Sequence, residues 1–248
     1  MSAPLLAVED LHVAIQSMEA LRGFSLAVPA GAMVGVVGRN GAGKTTLMRA
    51  VMGHLAVARG RVRFEDQDLA AVPPHGRAPL GIGYMPEDRQ LVPELTVEEN
   101  ILLPAWVSRT GDGRRRLDLV LELMPELAPM RERKALLLSG GQQKLVALGR
   151  ALVAGTRLLL LDEPFEGVAP ALSERLSEVI ARLKGTDLAV ATGDRHVFAS
   201  RTRFIPSGLL DCFACSAWPA AHRQDRSTTL SRITAPIDLK ARMRGMWA

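Results

Sequence analysis

An α/β fold on a mostly parallel sheet, with an antiparallel β segment in front and helices inserted behind, is what this chain predicts. Two continuous apolar runs, MVGVV (33–37) and LLLLD (158–162), read as strands covered on both faces, the signature of a parallel sheet. Helical periodicity follows each of them, and strand alternating with helix argues for parallel pairing. With 248 residues, 48% hydrophobic and 23% charged, the chain can bury one sizeable core or two small ones in water.

Taken in order, LLAVEDLHVAI and EALRGFSLAVPAG alternate apolar and polar residues and stop at Pro29 and Gly31, which predicts two antiparallel strands. MVGVV runs into GRNGAGKTT and then LMRAVMGHL, a helix ending near Gly53. GRVRFEDQDL predicts a strand with a turn, PPHGRAPL a loop and GIGYMP a short strand. From Thr96 the spacing becomes helical. TVEENILLPAW opens on a capping box, Thr96 to Glu99, and LDLVLELMPEL resumes the pattern beyond the polar break RTGDGRRR, which together predict an inserted helical subdomain over about 96–150. LSGGQQKLVALGRALVAG predicts a helix, RLLLLDEP the second buried strand, ALSERLSEVIARLKG a helix and LAVAT a strand.

Charge is unevenly spread. The net is +5, yet from Arg195 onward nine Lys or Arg stand against three Asp, so the body of the chain is nearly neutral. That distribution excludes the basic folded face of a nucleic-acid binder. No run approaches the roughly 20 apolar residues that a membrane-crossing helix needs, and MSAPLLAVEDLHV carries no basic leader before an apolar stretch. A cytosolic chain, resting if anywhere on the membrane helices of another protein, is expected. Cys212 and Cys215 form a lone CxxC with only His222 nearby, too little for a zinc site.

Three motifs carry chemistry. GRNGAGKTT, comprising Gly38, Arg39, Asn40, Gly41, Ala42, Gly43, Lys44, Thr45 and Thr46, fits G-x-x-x-x-G-K-[ST] between a strand and a helix. Its glycines let backbone N–H groups turn inward around phosphates, where Lys44 meets the β and γ phosphates and the Thr45 hydroxyl suits Mg²⁺. This makes the core a P-loop NTPase. RLLLLDEP places Asp162 at the carboxyl edge of the sheet to hold the magnesium shell, with Glu163 beside it to orient an attacking water. LSGGQQ is the third. Ser139, Gly140, Gly141 and Gln142 open a helix whose N-terminus suits an anion, which is redundant within one subunit and useful only over another subunit's nucleotide.

These three motifs, in this order, resemble the nucleotide-binding subunit of ABC transporters over roughly residues 5–194. The resemblance implies ATP and Mg²⁺ as ligands and a head-to-tail pair of subunits, either two copies or two different ATPases. In such a pair Ser139, Gly140 and Gly141 reach the partner's γ-phosphate, and the loop 165–169 touches the opposite subunit. It further implies a separate transmembrane permease, an indirect substrate-binding protein outside the membrane, no nucleic acid, and a place on the cytoplasmic face. ABC-type ATPases of nucleic acid or the ribosome usually carry two cassettes or a long coiled-coil insertion, and this sequence has neither. Within the family, GIGYMPEDRQLVPELTVEENILL and DEPFEGVAP are similar to the importers of branched-chain amino acids, with Glu87 where the wider family has Gln and Phe165 in place of Ser. Glu87 thereby joins Thr45 and Asp162 as an expected metal ligand.

Two positions depart from the family. Where it stacks adenine on an aromatic ring stands Ile15, which is either an apolar contact without a π face, weakening nucleotide affinity by about 1 kcal/mol, or ordinary core. Where it places a switch His, or Gln in the branched-chain importers, stands Gly193, and His196 is too far along to substitute. An ATP-binding subunit impaired in hydrolysis is therefore the alternative reading. The likeness ends with residues 195–248, which hold both cysteines, two of three tryptophans and the excess positive charge. That stretch reads as a diverged regulatory tail, a disordered basic tail near a membrane, or the product of a shifted reading frame.

Overall fold

The computed structural model describes residues 3–108, 112–184, 186–195 and 214–215. Strands β1 (Leu6–Ile15) and β2 (Met18–Val28) form the expected hairpin, and β4 (Arg59–Phe64) and the short β5 (Gln67–Asp68) extend it into a sheet of order β2-β1-β4-β5. Between them in sequence lie β3 (Met33–Gly38) and helix α1 (Lys44–Val51), which belong to a second sheet. That sheet is parallel, in the order β6-β7-β8-β3-β9, with β6 (Ile82–Met85), β7 (Leu158–Asp162), β8 (Ala189–Arg195) and β9 (Ala214–Cys215).

Every residue of β7 is buried, as a central strand covered on both faces must be. One core lies on either side. On one, Leu158, Leu160, Val34, Leu47 and Met48 pack against the antiparallel sheet through Leu6, Val8 and Val13. On the other, Leu159, Leu161 and Val190 pack against the helices α2 (Val97–Ser108), α3 (Gly113–Leu123), α4 (Gly140–Ala154) and α5 (Pro170–Arg182). Strictly alternating Leu residues on β7 thus serve two cores at once.

The start of α2 shows how local sequence sets the helical insertion. Thr96 N–H donates to Glu99 at 2.8 Å and Glu99 N–H to Thr96 Oγ1 at 3.2 Å, the expected capping box. Asn100, fully buried, accepts from Val92 N–H and donates to the carbonyls of Val92, Leu95 and Thr96, which ties the preceding loop onto the helix.

Two expectations need correction. PPHGRAPL holds two short 3₁₀ turns, Pro74–Gly76 and Ala78–Leu80, because proline at the start of each presets φ for a tight turn. The last strand does not stop at Thr192: β8 continues to Arg195 in register with β3, so Gly193 lies within the strand, paired across from Asp162 and Val36. Of residues 196–248, including His196 and His222, only 214–215 are described, and they pair with Val34 and Gly35 of β3. The expectations about that segment otherwise fall outside the described residues.

Candidate functional site

The site forms where β3, β6, β7 and β8 end together. Its base is the P-loop. Gly41 and Gly43 hold left-handed φ of 78° and 93°, and a Cβ at Gly43 would stand 2.6 Å from Leu21 Cδ2, so glycine is required there. No side chain caps α1, whose first turn therefore presents its backbone donors to the loop. Lys44 is buried, and its ammonium donates to the carbonyls of Gly38 at 3.0 Å and Arg39 at 3.3 Å and pairs with Glu163 at 3.3 Å. Lys44 and Glu163, both assigned to the chemistry from sequence, thus come together.

Asp162, at 0% exposure, accepts from Thr45 Oγ1 at 3.1 Å and lies 3.5 Å from the Tyr84 hydroxyl. Burial pushes its carboxyl up to about 6, with the neighbouring Glu87 and Glu163 charges adding to the effect and Thr45 and Lys44 opposing it. The Tyr84 phenol is raised for the same reasons, burial first and Asp162 second. Glu87 is exposed and gathers with Glu163 and Glu166, their carboxylate oxygens within 4.8 Å of one another, rather than joining the Thr45–Asp162 pair directly. Hard oxygen donors, and a buried carboxylate that its surroundings leave short of positive charge, fit a magnesium ion.

Glu163 adopts φ of +48°, a left-handed conformation that costs about 1 kcal/mol or more in a residue with a Cβ. Its N–H donates to the carbonyl of Gly193 at 3.0 Å. At Gly193 a Cβ would lie 3.4 Å from Lys44 Cβ and 3.7 Å from Asp162 Oδ1. Position 193 therefore abuts the site, as the alignment of motifs implied, and supplies only backbone there. Ile15, by contrast, is 45% exposed at the tip of the β1–β2 hairpin opposite Met18, which disposes of its reading as core.

The signature lies elsewhere on the surface. Ser139 caps α4: Gln142 N–H donates to Ser139 Oγ at 3.3 Å and Ser139 N–H to Gln142 Oε1 at 3.0 Å, which leaves the amides of Gly140 and Gly141 outside the cap. Ser139 and Gly140 are exposed. Arg89, from the segment after β6, reaches this helix start, donating to Gly140 O and Gln143 Oε1, while Arg150 of α4 donates to the carbonyls of Arg89 and Gln90. Phe165 is 2% exposed and packs in its own chain's core, so within the loop 165–169 it is Gly167 and Ala169 that face outward. Sequence reading missed Tyr84, Glu166 and Lys144. The parallel β6–β7 register could have placed Tyr84 beside the end of β7, whereas no local pattern indicates Lys144.

A P-loop, an acidic strand end opposite it and a parallel sheet define a P-loop NTPase. The family profile of ABC transporters matches residues 21–166. Among relatives, the high-affinity branched-chain amino acid transport ATP-binding protein BraG of Pseudomonas aeruginosa is 35% identical over 75% of this chain and 80% of its own length. The probable branched-chain amino acid transport ATP-binding protein LivF of Archaeoglobus fulgidus is 37% identical over 60% of this chain and 63% of its own. The lipopolysaccharide export system ATP-binding protein LptB of Haemophilus influenzae is 33% identical over 78% and 81%. A nucleotide-free ATP-binding cassette from an ABC transporter superposes with a TM-score of 0.66 at 29% identity, over 77% of this chain and 81% of that one. The chain belongs to the ABC transporter ATP-binding family and is an ABC-type ATPase.

Proposed function

We propose that this chain is the ATP-hydrolysing subunit of an ABC importer for branched-chain amino acids or related amides, at the cytoplasmic face of the membrane. The observation that carries the reading is the convergence of buried Lys44, Asp162 and Glu163 with half-buried Thr45 at the end of the parallel sheet. Its specialisation as an importer is supported by PEDRQLVPELTVEENILL and DEPFEGVAP and by the likeness to BraG and LivF. Similarity to LptB favours export as the second reading of direction.

In this reading residues 1–194 act as the nucleotide-binding domain. The P-loop amides and Lys44 bind the triphosphate. Thr45 and Asp162, with Glu87 nearby, would hold Mg²⁺, which when bound neutralises charge on the β and γ phosphates. Glu163 turns its carboxylate from Lys44 toward a water in line with the γ-phosphate. Ser139, Gly140, Gly141 and Gln142 close over the ATP of a second ATPase subunit, alike or different. Closure passes through the helical subdomain, about 96–150, and the Glu87 loop to a separate permease, which a substrate-binding protein outside the membrane serves. Among the described residues no helix is long and apolar enough to cross a membrane.

The missing side chain at Gly193 favours a second reading, a subunit that binds ATP and closes but turns over poorly. ATP turnover by the purified chain separates the two. Turnover that falls about 10²- to 10⁴-fold in Glu163→Gln supports the enzyme, whereas tight ATP binding with no turnover in the parent supports the binding subunit. Import and export separate on reconstitution with the permease, by the side of the membrane on which a labelled branched-chain amino acid accumulates.

A further inference from the structure

Glu163 sits in a left-handed conformation that its own side chain disfavours, so its surroundings must hold it there. One holder is the carbonyl of Gly193, which accepts from Glu163 N–H. The other comes from α4, in the helical layer packed against the parallel sheet. Lys144, on the first turns of α4 and 3% exposed, donates from its ammonium to the carbonyl of Glu163 at 2.9 Å and to the carbonyl of Glu166 at 2.6 Å. Glu166 N–H closes a turn back onto Glu163 O at 3.1 Å, so a single cation grips both ends of the turn that carries the carboxylate.

A buried ammonium is costly unless its donors and its charge are both answered. Here the donors meet carbonyls, and the Glu166, Glu87 and Glu163 carboxylates offset part of what burial and the neighbouring Arg89 guanidinium cost the charge. Two neutral carbonyls alone could be met by a smaller neutral donor. The cation matches a site where three carboxylates converge.

We infer that Lys144 is a positioning residue for ATP hydrolysis: it fixes the backbone of Glu163, and thereby links the signature helix of a subunit to the hydrolytic carboxylate of that same subunit. This rests on the reading of Glu163 as the group that orients water. Any shift of α4 on closure would move the Glu163 turn through this one side chain, without passing through the nucleotide.

The test compares the full chain with Lys144→Met, Lys144→Gln and Lys144→Arg. Turnover against ATP concentration should show kcat at least tenfold lower in Lys144→Met with KM within twofold, because the P-loop stands on β3 and α1 and Lys144 bonds the Glu163 and Glu166 carbonyls rather than any P-loop residue. Lys144→Arg, which keeps a buried cation with several donors, should recover most of that loss, and Lys144→Gln less of it. Independently of activity, hydrogen exchange at the Glu166 amide should quicken at least tenfold in Lys144→Met while amides inside α5 hold their rates. An unchanged kcat, an equal loss in all three variants, or unchanged exchange at Glu166 overturns the inference. Should the parent hydrolyse no ATP, or Glu163→Gln keep full turnover, the enzyme reading fails instead, and exchange at Glu166 still decides whether Lys144 holds the turn.

Discussion

At the P-loop, Lys44, Asp162 and Glu163 are buried and each already has a partner in its own chain: two carbonyls and a carboxylate, a hydroxyl, an ammonium. At the signature, Ser139 and Gly140 are exposed, fastened by a helix cap and by Arg89. One end of the site is enclosed and its charges are partnered within the chain; the other is open, a helix start of a hydroxyl and backbone amides with Arg89 beside it. Burial lets the first concentrate electrostatic work that water would screen. In the proposed pair, the second gains its use against another subunit's surface. The difference teaches that the two ends should fail differently: the P-loop end within a lone subunit, the signature end only upon pairing.

The largest expected effect falls on the enclosed end. Lys44→Ala removes the charge that the proposed function sets against the triphosphate and strands Glu163 beside Asp162 and Glu87, so ATP turnover should drop about 10³-fold, with weakened ATP binding by the isolated subunit. Full ATP binding by a monomeric Lys44→Ala protein would break the comparison. The enclosed end should also announce itself by pH. A carboxyl raised from its ordinary value to about 6 takes up its proton more readily folded than unfolded. Its contribution therefore favours the native state below pH 3.8 and is lost as pH rises through 6. Asp162→Asn does not titrate, so without Mg²⁺ its stability should exceed that of the parent by on the order of 3 kcal/mol at neutral pH, the gap shrinking on acidification. Denaturant midpoints measured from pH 4 to 8 would check this, and a gap independent of pH would show Asp162 to be unperturbed.

Legibility from sequence followed the same division. The P-loop was readable because its chemistry is local: nine consecutive residues, glycines at the turns and a helix behind them form the cradle without help from elsewhere. RLLLLD was readable because a strand buried on both faces leaves an unbroken apolar run. Tyr84 beside Asp162, and Lys144 beneath Glu163, depend on strand order and helix packing, which no stretch of sequence states. In sequence Lys144 is one more polar residue on a helix following a glycine-rich start. The extension of β8 through Gly193 is not legible because a glycine followed by two charges reads as a strand end, whereas pairing with β3 carries the strand past it. Pro73 and Pro74 predict a loop, and they instead open a 3₁₀ turn.

The smallest effect belongs to the open end, and it separates two roles that Ser139 holds at once. As a cap, its Oγ accepts from Gln142 N–H, while its own hydroxyl hydrogen stays available to donate to a partner's phosphate. Ser139→Ala removes both, and should cost the isolated subunit about 1 kcal/mol, visible as a lower thermal midpoint. Ser139→Asp keeps the cap, since a carboxylate accepts from the same N–H and suits a helix N-terminus, so the lone subunit should be at least as stable as the parent. Yet the same carboxylate would face the triphosphate of the partner across the closed pair. ATP-driven dimerisation, followed by size-exclusion chromatography on a hydrolysis-deficient Glu163→Gln background, should then be lost in Ser139→Asp and only weakened in Ser139→Ala. If Ser139→Asp still dimerises with ATP, the signature does not face a nucleotide, and its exposed glycines need another explanation than a second subunit.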